Sequence, residues 1–100
     1  MAMNAGFDLV TLASGVGTIT WRHPEQRRDG TGAEAVELDG VPQFFWIVST
    51  ANTLLAVGVV KVESVTATGG RLVSTHNADS STYLVVGFVD LPEALFRGSR

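Results

Sequence analysis

The chain contains no cysteine. Disulfides and thiolate metal sites are therefore excluded. Histidine is scarce as well: His23 and His76 stand far apart, and neither belongs to an HxH or HExxH pattern. A zinc-type centre needs three or four ligands, so no metal is expected. Charged residues make up only 17% of the chain, with seven Lys and Arg against ten Asp and Glu and a formal net charge of -3. Nucleic-acid binders carry a basic patch or stripe, so no nucleic-acid partner is expected.

Catalytic signatures are missing too. Ser14-Gly15-Val16-Gly17 has two glycines but matches neither GxxxxGK[ST] nor GxGxxG, and it reads as a turn. No GxSxG marks a nucleophilic serine. Glu34, Glu37 and Glu63 alternate with apolar residues, which assigns them to the wet face of a sheet rather than to a facing acid pair. No cofactor is expected.

A membrane span needs about 20 consecutive apolar residues. The longest candidate, Phe44 to Val60, is interrupted by Ser49, Thr50, Asn52 and Thr53, and Lys61 and Glu63 follow at once. No span is expected. The start, Met1-Ala2-Met3-Asn4-Ala5-Gly6, lacks the positive region and continuous apolar core of a secretory signal. The expectation is a soluble protein, cytoplasmic or virion-associated.

What the chain does have is apolar strand sequence. Hydrophobic residues make up 45% of it. The centre is Gln43 to Val65, where Phe44 to Val48 and Leu54 to Val60 form two dense apolar runs. They read as two buried strands folded back on each other. A helix over residues 49–62, capped by Ser49 or Thr50, is the rival reading. Gly58 and the valines weigh against it, since both are poor helix formers.

Around this centre the pattern predicts further strands. Phe7 to Leu12 and Thr18 to Arg22 come first, the second with Ile19 and Trp21 on one face. Pro24 ends that ladder, and residues 24–32 are polar, charged and glycine-containing, an exposed loop. Asp39-Gly40 is a strong hairpin signal, so Ala35 to Leu38 is predicted to pair with Val41 to Val48, with Pro42 at the strand's start or on an unpaired edge. Thr66 to Gly70 turns the chain into Arg71 to Thr75. After a polar loop, Thr82 to Val89 is a long strand apolar on both faces. Asp90 and Pro92 suit the start of a short C-terminal helical turn over residues 91–96.

The expected fold is therefore all-β. It is a single domain over residues 1–100, an antiparallel β-sandwich or small β-barrel of about seven strands, with residues 1–5 and 98–100 frayed. Among the aromatics, Phe45, Phe88 and one of Phe44 or Trp46 are expected in the core. Trp21 sits beside Arg22 and His23 at the mouth of a polar loop.

Three functions fit. The first is a non-catalytic structural or protein-interaction module that self-assembles as a homo-oligomer through apolar strand surfaces. A shell, capsid-associated or tail component is an example. A strand apolar on both faces needs covering on both, and a neighbouring copy supplies the second cover. The second is a small ligand-binding module, carbohydrate leading, with Trp21, Arg22, His23 and Trp46 as candidate contacts. The third is a small barrel enzyme using His23 or His76 with a nearby acid such as Glu25, Asp29 or Asp79. Arg27, Arg28, His76 and Asp79 are the candidates for a loop that meets a protein partner.

Overall fold

Six strands occupy the residues described by the computed structural model, which are 4–23, 34–51 and 59–90. They are β1 (Ala5–Thr11), β2 (Val16–Thr20), β3 (Phe44–Ala51), β4 (Val60–Glu63), β5 (Gly69–Ser74) and β6 (Thr82–Phe88). No helix occurs among these residues. The strands form two three-stranded antiparallel sheets, β1-β6-β3 and β2-β5-β4. We call them sheet A and sheet B.

The sheets meet where β1 turns into β2. Ala13 and Val16 exchange backbone hydrogen bonds of 2.9 and 3.2 Å across Ser14 and Gly15. Both central residues have positive φ, 54° and 82°. A type I′ hairpin turn needs that combination, and glycine meets it without a Cβ penalty. Further along, Phe7 and Arg22 also exchange backbone bonds, of 2.9 and 3.2 Å. Between these two points the strands part, and Asp8 occupies the gap. Its carboxylate accepts the Thr20 amide at 2.9 Å and Arg22 Nε at 3.1 Å. A side chain here takes the place of a ladder carbonyl, so the amide stays satisfied while the strands diverge into separate sheets.

The core lies between the sheets, and its centre is Trp21. Register explains how so large a side chain fits. Gly6 pairs with Gly87, and Gly87 pairs with Phe45, so one inward row of sheet A is glycine, glycine, phenylalanine. The indole lies on that row. A Cβ on Gly87 would stand 2.8 Å from Trp21 Cη2, and one on Gly6 would stand 3.0 Å from Trp21 Cβ. Phe45 stacks on the indole with ring centroids 6.3 Å apart and planes 19° apart. Trp21 Nε1 donates to the Thr66 carbonyl at 3.0 Å, so the buried N–H is satisfied. Val10, Leu12, Ile19, Leu38, Leu72, Tyr83 and Val85 complete the buried cluster.

A second buried device holds the β5–β6 loop. Asp79 is fully buried. Its carboxylate accepts the Ser81 amide at 2.9 Å and the Tyr83 hydroxyl at 2.8 Å. Its backbone carbonyl accepts Gly15 N–H at 2.9 Å, which ties this loop to the I′ turn. Burial alone pushes the carboxyl upward, but hydrogen bonds from Ser81, Tyr83 and Ser74 outweigh it and hold the pKa at about 2. Burial, then the bond to Asp79, raises the Tyr83 hydroxyl. Because the Asp79 pKa is depressed on folding, its stabilisation is complete above about 3.8 and is lost as pH falls through about 2. The expected loss is about 2 kcal/mol. Urea midpoints at pH 6 and pH 2 should therefore converge less in wild type than in Asp79→Asn, whose own acid sensitivity should be smaller by that amount.

Several expectations need correcting. Of the second central apolar run, residues 54–58 lie outside the described residues; its last residue, Val60, begins β4, which lies in a different sheet from β3. Asp39-Gly40 makes no hairpin. Val36 N–H is taken by the Trp21 carbonyl at 2.9 Å and Leu38 N–H by the Ala67 carbonyl at 2.8 Å, so this segment runs along the end of sheet B instead of beside β3. Only Ala35 forms a bridge, to Arg22. Pro42, which has no N–H to give, does stand at a strand's start, just before β3, buried against the Gly87 row. The described residues hold six strands. The loop at 24–32, the strand-or-helix question over 52–58 and the helical turn at 91–96 lie outside the described residues.

Candidate interaction face

The two sheets turn unlike surfaces outward. Cross-strand partners share a face, so register lays out the outer side of sheet A in rows. Three of these rows are Ala5, Phe88 and Phe44; Phe7, Val86 and Trp46; and Leu9, Leu84 and Val48; a further row holds Thr11 and Thr82, whose hydroxyls hydrogen-bond at 2.8 Å. Among the nine residues of the first three rows there is no charge and no hydrogen-bonding side chain apart from the Trp46 indole N–H. Trp46 is 59% exposed, Val48 55%, Leu9 47% and Phe44 39%. Leu84, Val86 and Phe88 are half-buried. Phe88 meets the edge of the Trp46 ring, with centroids 5.7 Å apart and planes at 85°, which props the indole on the sheet. Phe7 is buried, yet it belongs to this face and not to the core cluster.

The outer side of sheet B mixes charge with valine, Val16 being 41% exposed. Its rows are Val16, Val73 and Lys61, then Thr18, Arg71 and Glu63. Arg71 Nε donates to Glu63 Oε1 at 3.1 Å, and its Nη2 reaches the same oxygen. Lys61 Nζ lies 3.7 Å from Glu63 Oε2. The bond from Arg71, with the attraction of both cations, lowers the Glu63 pKa. A depression of about 260 Å³ lies beside these rows, lined by Val59, Lys61, Val73, Ser74 and Thr75.

The edges differ in the same way. β4, the outer strand of sheet B, is four residues long and alternates charge with valine. β3, the outer strand of sheet A, is eight residues long and carries no charge. Its one irregularity is a register shift between Ser49 and Ala51, which leaves Phe44 to Val48 regular.

The structure does not gather the candidate ligand contacts into one surface. Trp21 is fully enclosed in the core. Arg22 pairs with Asp8, and His23 donates its amide to the Glu34 carbonyl at 3.2 Å. Trp46 lies on the outer face of sheet A, across the sheet from Trp21. His76 is exposed, and its Nδ1 accepts the Ala78 amide at 3.4 Å. It stands against Gly15, at the turn that begins β2, whereas His23 lies past the other end of β2. The Asp79 carboxylate faces inward to Ser81 and Tyr83, and its backbone amide donates to the His76 carbonyl at 3.0 Å. Arg27 and Arg28 lie outside the described residues. No group of three metal-ligating side chains occurs among the described residues. No helix long and apolar enough to cross a membrane occurs among the described residues.

Sequence reasoning missed Leu9, Phe44, Val48 and Val86 as members of a face. Phe44 and Trp46 both point outward, because residues two apart on a strand share a side, and Phe88 follows them by register. The expectation that Phe88 and one of Phe44 or Trp46 fill the core is thereby corrected. The available signal was the uncharged run at Phe44 to Val48, which describes an uncovered edge strand as well as a buried one. No protein-family model matches the chain, and no curated protein or solved structure is significantly similar to it.

Proposed function

We propose that the protein is a non-catalytic interaction module that assembles with copies of itself through sheet A, in the manner of a shell, capsid-associated or tail component. The observation that carries this reading is the outer face of sheet A, where Trp46, Val48, Leu9 and Phe44 stand exposed with no charge in their rows. Monomers rarely leave a contiguous patch of this kind uncovered when it exceeds a few hundred Å². Trp46, Phe44, Val48 and Leu9 together expose about 400 Å² of side chain. The charged outer rows of sheet B suit the opposite role, a surface that stays in water.

Light scattering over a concentration series tests it. Purified protein at tens of micromolar is expected to have a mass of at least two chains. A monomer throughout that range would remove the reading. A carbohydrate site draws support from the exposed Trp46, because an indole on a flat sheet can stack on a sugar ring. Its row partners Phe7 and Val86, and its neighbours Phe44, Val48 and Phe88, offer no polar groups to orient sugar hydroxyls. Self-assembly is therefore preferred. Saturable sugar binding by a monomeric protein would reverse that order.

A further inference from the structure

We infer that the occupant of the open β3 edge is β3 of a second copy, paired antiparallel about a two-fold axis normal to the sheet, so that two copies of sheet A become one six-stranded sheet. This rests on the self-assembly reading and names the contact that makes the assembly.

The first argument is what the edge lacks. Proteins blunt exposed edges with short strands, lysines, inward charges or prolines. β4 is blunted in this way, being short and carrying Lys61 and Glu63. β3 has none of these devices over Phe44 to Val48, and it is the longest strand described. The regular stretch Phe44 to Val48, ahead of the irregularity at Ser49 to Ala51, is left as a template.

The second argument selects the occupant. The sequence Phe44-Phe45-Trp46-Ile47-Val48 has no charge, so antiparallel pairing with itself opposes no like charges in any register. Aromatic and β-branched residues face one another, which are favourable cross-strand pairs. An acidic or basic partner would find nothing on the nine-residue face to pair with. A lipid surface would find no cation there to meet anionic headgroups.

The third argument is closure. A pairing of β3 with its own copy about a two-fold axis uses the same strand on both sides, so it closes on itself and does not propagate into a fibre.

The absence of native cysteine gives a clean test. A two-fold axis normal to the sheet places either an outward residue opposite itself or two outward residues opposite each other. Cross-strand Cα atoms lie about 4.5–5.5 Å apart, within disulfide reach. Phe44→Cys, Trp46→Cys and Val48→Cys are made singly, and oxidised alone and in pairwise mixtures. One variant alone, or one mixture, is expected to form most of the covalent dimer. Leu84→Cys, on β6, is expected to form none, because the two copies of residue 84 would stand three strand spacings apart, about 14 Å. Each variant is checked for wild-type mass before oxidation. An oligomer that yields no β3 disulfide in any arm overturns edge pairing and leaves self-assembly standing. A monomer overturns both. Equal cross-linking at every position, including 84, also overturns it, since that marks random collision.

Discussion

Trp21→Ala is expected to destabilise the domain by about 3–5 kcal/mol, the range for truncating a large buried aromatic. The indole fills the space between the sheets, stacks on Phe45 and donates to the Thr66 carbonyl, so its removal opens a cavity and leaves a carbonyl without its donor. Domains of this size are stable by only about 5–15 kcal/mol, so the variant sits near the limit of folding. Urea or thermal melts of wild type and variant measure the loss. The mechanism makes a sharper demand through Gly87. Gly87→Ala places a Cβ within 2.8 Å of the indole, and the indole is too enclosed to retreat. Overpacking of this kind costs about 1–3 kcal/mol. With Trp21→Phe already in place, the ring atoms nearest Gly87 are gone, and Gly87→Ala should cost much less. A double-mutant cycle with coupling above about 1 kcal/mol is the expected result. Additive effects would show that Gly87 matters for its backbone alone.

Trp46→Lys is expected to weaken self-association at least about a hundredfold while leaving the fold intact. The side chain is 59% exposed, so the isolated subunit loses little, within about half a kcal/mol. In the assembly the same change removes the largest apolar group of the face. It also sets an ammonium on the pairing stretch of each copy, among uncharged side chains. Like charges on paired strands repel, and a hundredfold corresponds to about 2.7 kcal/mol. Sedimentation or light scattering should report a monomer whose circular dichroism matches wild type. Thr18→Lys is the control. It adds the same charge to the outer side of sheet B and should leave the mass unchanged. A Trp46→Lys protein of wild-type mass would place the contact elsewhere.

Strand positions were legible because alternation and turn residues are local signals. Phe7 to Leu12 and Thr82 to Val89 differ from β1 and β6 by at most two residues at either end. Neighbourhood was not legible. Asp39-Gly40 has the composition of a hairpin turn, yet the amides of Val36 and Leu38 are claimed by Trp21 and Ala67. The I′ turn that does form uses Ser14 and Gly15. Composition cannot tell which of two turn-like dipeptides will have a matching strand on both sides. The candidate face was half legible. The surplus of apolar residues pointed to a covered surface, but which side of each strand was outward depended on pairing between residues 30 to 80 positions apart. The loop acid was misread for a similar reason. Asp79 in a polar segment reads as exposed, and only the position of Tyr83 and Ser81 shows that it turns inward.

The chain has two tryptophans, and the fold sends them to opposite sides of one sheet. Trp21, enclosed against the glycine row, will emit to the blue and resist a soluble quencher until the core opens. Trp46, standing in solvent, will emit to the red and respond when its surface is covered. Emission spectra of the two Trp→Phe variants would then record unfolding and subunit contact as separate optical signals, with no added dye.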